Sequence, residues 1–478
     1  MDALRVVVNG YLNLKYIAIL LLFLSPAFYI IHESYPDWGD DFAQYIYQSQ
    51  HIWKSSSDYK QVLNVSEFSS PKRAVFFSVL LSFVNGGLTI QPYLIFNTFL
   101  FLAAAVCVFL FASTYLNHVL SMLVSLVMFY NFLVLRLQQE VLSEFLFIAL
   151  LYLILYLAQA YYKKLKLFIP LLIALLISVR FVGVVVLVAY VFQILITANQ
   201  NRKGKLKDVV YVFIVNAVTL LVLNSIFVRG AHNEEISLYS NYTQNNISIE
   251  SVWNNMKIYS QYILFFFEQE IPWYFNKIIT ILSIVFMSVG LIMSFYQKAT
   301  FTEYVFVGYV LALFIFPNSA DTVRYLIPIF PLVIYYLTKG ILFPSNFLAQ
   351  YFQYYFTISF LLILILSNIN TVRLWWLNQK TQLNPYSVSV KEDFVKVKSI
   401  VKQNETVAFT KPFLINLFCD RNSYYLTNEN CETIIPKVNY LLLAKNSLPE
   451  IHAKTSKIKL GVGDTTELNH FFLLKLPH

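Results

Sequence analysis

Apolar runs long enough to cross a lipid bilayer recur along most of this chain and constrain its fold more than any other feature. A transmembrane helix needs roughly 20 mainly apolar residues, because the hydrocarbon core of a bilayer is about 30 Å thick. The runs lie near residues 14–31, 93–113, 118–135, 143–161, 167–179, 182–198, 208–228, 277–297, 301–317, 323–338 and 350–368. They predict a polytopic α-helical membrane protein with about 11 transmembrane helices.

The composition supports a chain that lies in lipid. Of its 478 residues, 58% are hydrophobic and 13% are charged, whereas about one quarter of the residues of a soluble domain are charged. So few charges cannot cover a globule of this size, and the surplus apolar surface must face lipid. The net charge of +9 does not indicate nucleic-acid binding, because the Lys and Arg residues gather in short loops and no nucleic-acid-binding motif is present.

The basic loops predict the orientation, because Lys and Arg concentrate on the cytoplasmic side of a membrane protein. They place the N-terminus and the loops 162–166 and 201–207 inside. No small-residue cleavage site follows the first run, so we expect a retained span in the plasma (inner) membrane. The long loop 32–73 is then extracytoplasmic. Parity of crossings leaves the short run 74–84 as a re-entrant or interfacial segment.

The last part of the chain, beyond residue 369, carries Lys, Asn, Asp and Glu at the levels of a soluble protein. A helix is predicted at 392–402, and short strands are predicted at 406–409, 440–443 and 471–475. We therefore divide the chain into a transmembrane bundle at 1–369 and a small extracytoplasmic α/β domain at 370–478.

The three cysteines divide between these two parts. Cys107 lies in an apolar run and is expected to be a packed thiol. Cys419 and Cys431 lie in the C-terminal part and can form a disulfide if that part is extracytoplasmic. The alternative is that they stay unpaired. No CxxC motif or Cys/His cluster indicates zinc. The sequence requires no cofactor, and a divalent metal stays possible.

An acidic pair, Asp40-Asp41, directly follows the first span. One carboxylate can act as a general base on an incoming nucleophile, while the other orients that nucleophile, binds a metal or holds a donor sugar. Gly39 permits a tight turn that presents both side chains. The alternative is structural, with Asp40 capping a helix and Asp41 favouring the helix dipole.

The segment 41–53 after the acidic pair is predicted to be an amphipathic helix at the membrane interface. Its apolar residues, such as Phe42 and Tyr45, would face the membrane, while Gln44 and Gln48 would face away from it.

Further charged residues are candidates for binding substrate or phosphate. The pair Lys72 and Arg73 begins the re-entrant run, at headgroup level, where two cations suit a phosphate but also serve as ordinary interfacial anchors. Glu140 and Glu144 are four residues apart at the outer end of a span, which places them on one helix face. Their alternative role is solvation of the helix end.

Two more candidates lie deeper in the chain. Arg180 is at the tip of the hairpin 167–198, and an arginine at membrane depth faces a polar cavity or pairs with a carboxylate or a helix end. Arg324 and Tyr325 lie at the outer mouth of a late span, where they can hold a lipid phosphate. The alternative there is an Asp321–Arg324 ion pair.

In chain order these motifs resemble the glycosyltransferase C superfamily, in its protein-O-mannosyltransferase and aminoarabinose-transferase branch. The matching segments are Gly39-Asp40-Asp41 after the first span, Ser70-Pro71-Lys72-Arg73 in the outer loop, Leu142-Ser143-Glu144-Phe145-Leu146, Arg180-Phe181-Val182-Gly183 and the run from Arg324 to Pro331. The chain departs from the family in having Asp-Asp where Asp-Glu is commoner. It also has Pro71-Lys72 in place of a double proline.

The resemblance implies an inverting transfer of a sugar from a polyprenyl-phosphate donor to a glycan, lipid or protein acceptor on the extracytoplasmic face. Asp40 would take the proton of the acceptor hydroxyl, and Asp41 would position the acceptor or donor. The leaving phosphate would be stabilised by Lys72, Arg324 and Tyr325. Nucleotide sugars are absent outside, so a lipid donor is expected.

Two other classes compete with this reading. A transporter or flippase predicts several charged residues in mid-span, broken helices in matching halves and inverted repeats, but this sequence offers little besides Arg180 and no repeat. A polymerase or ligase for lipid-linked polysaccharides is a closer alternative, because it would share the substrate class and the side of the membrane.

Overall fold

The structure is a computed structural model of the chain. It describes residues 2–28, 41–53, 62–63, 75–84, 86–161, 165–196, 202–227, 248–267, 273–315, 322–343, 350–379, 384–426, 431–445 and 465–476. The predicted site residues Asp40, Lys72 and Arg73 lie outside these ranges, as does Asp321, so the Asp321–Arg324 pair lies outside them too.

Helices account for most of the described residues. Those before the C-terminal part are α1 (Asp2–Leu24), α2 (Asp41–His51), α3 (Val75–Leu81), α4 (Gln91–Ala112), α5 (His118–Phe129), α6 (Phe132–Gln138), α7 (Glu144–Ala160), α8 (Ile169–Val179), α9 (Val184–Ile196), α10 (Arg202–Phe227), α11 (Ile249–Phe267), α12 (Trp273–Lys298), α13 (Phe301–Ile315), α14 (Thr322–Leu326), α15 (Phe330–Leu342) and α16 (Gln350–Gln379). Three short helices follow: α17 (Val388–Ile400), α18 (Pro412–Leu414) and α19 (Cys431–Ile434).

Five of the described helices are long and apolar enough to cross a membrane, and a sixth span is obtained if the bent pair α5–α6 counts as one. The other predicted runs coincide with apolar helices of 10–17 residues. The chain is therefore an integral membrane protein, but the predicted number of spans is not confirmed. Hydropathy alone does not show where a run is broken by bends such as the 66° turn between α5 and α6.

The run predicted to be re-entrant contains only the seven-residue helix α3, most of whose side chains are buried. That helix is too short to span a bilayer. It packs against α2 and α8.

Two glycines allow two of the bundle helices to touch. A Cβ on Gly290 of α12 would overlap the carbonyl oxygen of Tyr336, and one on Gly340 of α15 would overlap that of Phe286. Small residues at such crossings let helix backbones approach closely, which provides the van der Waals packing that holds helices together in lipid.

The C-terminal part contributes five strands to a six-stranded sheet of order β1-β3-β2-β4-β6-β5. The strands are β1 (Val62–Leu63), β2 (Thr406–Phe409), β3 (Asn422–Tyr425), β4 (Tyr440–Ala444), β5 (Thr465–Glu467) and β6 (Phe471–Lys475). The first four in the order are parallel, whereas β6 and β5 are antiparallel to their neighbours. The predicted small sheet is confirmed.

The edge strand β1 comes from the loop that follows α2, far from the rest of the sheet in sequence. It pairs in parallel with β3, with Val62 opposite Ser423. A two-residue strand carries too little pattern to be found from sequence. The predicted boundary at residue 369 lies within α16, so the division of the chain at that point stays a prediction.

No disulfide joins Cys419 and Cys431, so of the two alternatives left open by the sequence the structure agrees with the one in which they are not bonded to each other. Cys419 is buried in the core that the sheet shares with the bundle, whereas Cys431 is buried in a separate small core. The strand residues of these cores alternate, with Val407 and Phe409 in the first and Ala408 in the second. The two thiols therefore lie on opposite faces of the sheet.

We expect both thiols to stay reduced and slow to react in the folded protein. Burial raises the pKa of the Cys419 thiol to about 12, so very little reactive thiolate is present at pH 8. Maleimide labelling should modify Cys419 and Cys431 only after denaturation, and the mass of the protein should be the same with and without reductant. Rapid labelling of Cys419 under native conditions, or a disulfide-linked peptide, would contradict the buried placement.

Candidate functional site

Four charged side chains from distant parts of the sequence meet at the ends of helices. Asp41 begins α2 and Glu144 begins α7. Arg180 ends α8 in an extended conformation, with φ of −152°, before a single 3-10 turn at Phe181–Gly183. Arg324 lies in the short helix α14. Because the helices begin or end near these residues, the charged groups can point away from the apolar sides of the helices and contact one another.

The guanidinium of Arg324 joins the two acids. Its Nη1 donates to Oδ2 of Asp41 at 2.6 Å. On the other side its Nε donates to Oε1 of Glu144 at 2.8 Å, and its Nη2 lies 2.7 Å from the same oxygen. The second arginine, Arg180, places Nη1 2.7 Å from Oε1 of Glu144. We call Asp41, Glu144, Arg180 and Arg324 the charge cluster.

Glu144 is the centre of the charge cluster. Its side chain is 0% exposed. Its Oε1 lies 2.7 to 2.8 Å from guanidinium nitrogens of both arginines. Its Oε2 is also buried and accepts no hydrogen bond from the described residues. The carboxylate lies at the first residue of α7, where the helix dipole favours a negative charge. A buried carboxylate is tolerated only when it is paired and hydrogen-bonded in this way.

The charge cluster is more accessible on the side of Asp41 and Arg324. Their side chains are 21% and 18% exposed, against 8% for Arg180. The two carboxylates balance the two guanidinium groups, and Glu140 adds a further negative charge that acts on Arg324. An incoming anion can therefore reach Arg324, but it has to compete with Asp41 for that guanidinium.

Glu140 does not share a helix face with Glu144, so that prediction is wrong. Helix α6 ends at Gln138 and α7 begins at Glu144, and Glu140 lies in the bend between them. Its backbone oxygen accepts a hydrogen bond from Asn97 Nδ2 at 2.7 Å. A spacing of four residues predicts a shared face only where the helix is continuous.

Tyrosines surround the deeper end of the charge cluster. The guanidinium carbon of Arg180 lies 5.1 Å from the ring centre of Tyr325. Tyr309 interacts electrostatically with Arg180 and Glu144. The hydroxyls of Tyr259 and Tyr309 are buried and have no hydrogen-bond partner in the described part of the chain. Sequence reasoning missed both, because nothing separates them from the many other tyrosines of the chain.

Helix α2, which carries Asp41, is largely buried within the protein. Gln44 and Gln48, which the sequence pattern predicts to face away from the membrane, are 1% and 2% exposed, so other parts of the protein cover this polar face. The helix packs against α3 on the bundle side and against residues of α18 and the turn after it on the C-terminal side. Tyr45 also reaches Ser143, next to Glu144, with 3.0 Å between the two hydroxyl oxygens. Amphipathic periodicity cannot show that a second layer covers the polar face.

The structure thus brings together Asp41, Glu144, Arg180 and Arg324 of the residues singled out from sequence, with Tyr325 beside Arg180. The carboxylates of the cluster contact guanidinium groups. Among the described residues, no group of three or more His, Cys, Asp or Glu side chains forms a candidate metal site.

Comparisons with known proteins give a match in structure alone. No family model and no curated protein sequence matches the chain. ArnT from Cupriavidus metallidurans, solved bound to undecaprenyl phosphate, matches with a TM-score of 0.58 and 9% identity over 97% of this chain and 98% of that chain. The oligosaccharyltransferase AglB from Archaeoglobus fulgidus, solved with an inhibitory peptide and a dolichol-phosphate, matches with a TM-score of 0.56 and 12% identity over 91% of this chain and 70% of that chain.

Identities this low show the fold alone. The chain has the fold of these membrane glycosyltransferases, as its resemblance to the glycosyltransferase C superfamily predicted, and ArnT matches over nearly its full length.

Proposed function

We propose that this protein is an inverting glycosyltransferase that moves a sugar from a polyprenyl-phosphate donor to an acceptor hydroxyl at the extracytoplasmic face of the plasma (inner) membrane. The observation that carries the proposal is the charge cluster, in which two arginines meet two carboxylates at the ends of helices. Two solved neighbours of the same fold contain undecaprenyl phosphate and dolichol-phosphate. Guanidinium groups suit the phosphate of such lipids.

In the proposed reaction the acceptor oxygen attacks the anomeric carbon of the donor sugar from the side opposite the phosphate. The bond between the anomeric carbon and the phosphate oxygen breaks, and the electron pair leaves with the polyprenyl phosphate. The acceptor proton passes to the carboxylate of Asp40 and is later released to water. Inversion at the anomeric carbon follows from the single displacement.

Arg324 is the group that we assign to the leaving phosphate, with Lys72, Arg73 and Arg180 as further positive charges. Negative charge develops on the phosphate oxygen as the bond breaks, and fixed cations stabilise it without reorganising. When the phosphate engages Arg324, it competes with Asp41, whose carboxylate is then available to orient the acceptor. Tyr325 would add a hydroxyl, and Glu144 would hold both arginines in place.

We expect Asp40→Asn to lower the rate of transfer by about 10²–10⁴-fold, since that is what a general base contributes. The measurement uses purified protein in nanodiscs with a panel of labelled polyprenyl-phosphate sugars and a membrane extract as the source of acceptors. Asp41→Asn should lower the rate less, because it leaves the base in place. Glu432→Gln, at an exposed carboxylate of the C-terminal part, is the control and should transfer as the wild type does.

Several outcomes would contradict the proposal. Undiminished transfer by both aspartate variants would show that neither aspartate takes part in the reaction, which contradicts the proposed site. Uptake of a solute by reconstituted protein, without any transfer, would favour a transporter. Formation of long polymers from lipid-linked glycans would favour the polymerase alternative.

Dialysis against EDTA, followed by addition of Mg²⁺ or Mn²⁺, tests whether a divalent metal also contributes.

A further inference from the structure

We propose that Tyr47 and Asp420 are positioning residues, through which the C-terminal sheet domain holds helix α2 and thereby sets the position of Asp41 relative to Arg324. This inference rests on the proposed function. It assigns a role in the reaction to a domain that lies apart from the charge cluster in sequence.

The contact itself joins residues 373 positions apart in sequence. The hydroxyl of Tyr47 donates a hydrogen bond to Oδ1 of Asp420 at 3.2 Å. Tyr47 is 2% exposed, and its ring is held by His51, whose ring centre lies 4.3 Å away. Tyr47 is six residues beyond Asp41 on the same helix, which is about 9 Å along the axis. A shift of the helix at Tyr47 would therefore move Asp41 as well.

The backbone that presents Asp420 is unusual. Asp420 has φ of 55° and ψ of 50°, and among the described residues it is the one non-glycine residue with positive φ. This left-handed conformation is uncommon for a residue with a side chain, although aspartate and asparagine adopt it more readily than most. It follows a π-helical turn at Ile415–Cys419. Such turns are rare and frequently occur at functional sites.

The neighbouring Arg421 holds this turn in place. It is almost completely buried, and its guanidinium donates to the backbone oxygens of Val401, Cys419, Asp420 and Lys398 at 2.8 to 3.1 Å. Asn416 donates from Nδ2 to the backbone oxygen of Arg421 at 2.7 Å. The bonds of a buried cation thus fix the direction in which the Asp420 carboxylate points.

Two further contacts attach the same region to the C-terminal domain. Phe42, next to Asp41, packs against Tyr386 with 5.8 Å between ring centres, and Tyr386 packs against Phe418 at 5.3 Å. Beyond the other end of α2, strand β1 pairs with β3. Helix α2 is therefore held near its acidic end, along its length and through the strand that follows it.

A contact that only stabilises the fold would lower the melting temperature without changing the turnover of the folded enzyme. Positioning instead predicts a loss of kcat with little change in KM, because a displacement of about 1 Å at the reacting atoms can cost about 100-fold in rate. The substitutions at Asp420 therefore have to remove the hydrogen bond to Tyr47 while leaving the left-handed backbone conformation unchanged.

We expect Tyr47→Phe and Asp420→Gly each to lower kcat about 10-fold or more, with the KM for the lipid-linked sugar within about 3-fold of wild type. Glycine adopts positive φ freely, so Asp420→Gly removes the acceptor without straining the turn. Asp420→Asn keeps an acceptor oxygen and tolerates the left-handed conformation, so it should restore most of the rate. Tyr424→Phe, in a strand of the same domain, is the control.

Hydrogen–deuterium exchange provides a measurement that does not need activity. Amides of 41–51 should exchange faster in Asp420→Gly than in wild type, while those of α4 and α7 should not change. Unchanged exchange at 41–51, or wild-type kcat in both Tyr47→Phe and Asp420→Gly, would overturn the positioning role. If the wild-type protein itself transfers no sugar, the proposed function fails, and the exchange result still decides whether the domain holds α2.

Discussion

Replacing Arg324 with glutamine is expected to lower sugar transfer by about 100- to 1000-fold, the usual cost of removing one group that stabilises developing negative charge. The same change leaves Glu144 and Asp41 without the guanidinium that joins them. Breaking a buried ion pair by removing one partner costs about 3–5 kcal/mol. Arg324 is partly exposed, so the loss should fall at the lower end of that range. Both effects are measured on the purified protein, by transfer assay and by thermal unfolding in detergent.

Arg324→Lys separates charge from geometry. Lysine keeps the positive charge but cannot contact both acids with the planar fork of a guanidinium, so stability should recover more than transfer does. Arg373→Gln, at an exposed arginine of α16, is the control and should behave as the wild type in both measurements. Wild-type transfer by Arg324→Gln would show that the leaving phosphate does not depend on this side chain.

The elements found from sequence are those with a repeating apolar pattern or a strong local composition. Each predicted apolar run coincides with a helix, and strand β2 has the predicted bounds, Thr406–Phe409. A run of apolar residues indicates burial or contact with lipid, however, and does not give the length of straight helix. The number of membrane spans therefore cannot be read from the apolar runs. The bend between α6 and α7 at Glu140 has no apolar signature of its own.

The charge cluster was predictable as a set of residues but not as a set of contacts. Each of Asp41, Glu144, Arg180 and Arg324 stands out because charge is rare beside an apolar helix. Which arginine pairs with which acid depends on how α7, α8 and α14 pack, and that is a long-range property. The same applies to Tyr47 and Asp420, whose partners lie in different parts of the chain. Local patterns say nothing about such pairs.

The second large effect is expected from Glu144→Gln, which removes the carboxylate that both arginines contact. The charge cluster then has two positively charged guanidinium groups and one negative charge, the carboxylate of Asp41. An uncompensated buried charge destabilises a protein by several kcal/mol, so the melting temperature should fall by several degrees. Transfer should fall by about 100-fold or more, because Arg180 then loses its carboxylate and, of the two acids, only Asp41 still holds Arg324.

The double variant Glu144→Gln/Arg180→Gln separates the loss of stability from the loss of transfer. It restores the charge balance of the cluster, because Arg324 and Asp41 remain paired, so the melting temperature should rise again relative to Glu144→Gln. If transfer stays low although stability recovers, Glu144 or Arg180 acts in the reaction itself and not through stability alone. If transfer recovers together with stability, Arg180 only balances Glu144.

The matched control for Glu144→Gln is Glu303→Gln. Glu303 is also buried, at 3% exposure, but its Oε2 accepts hydrogen bonds from the backbone nitrogen and the hydroxyl of Thr300, at 2.8 and 2.6 Å. A glutamine oxygen can accept the same bonds at the start of α13. Glu303→Gln should therefore transfer sugar as the wild type does. A similar loss of transfer in both variants would mean that any buried glutamate of the bundle matters through stability, and that Glu144 has no special part in the reaction.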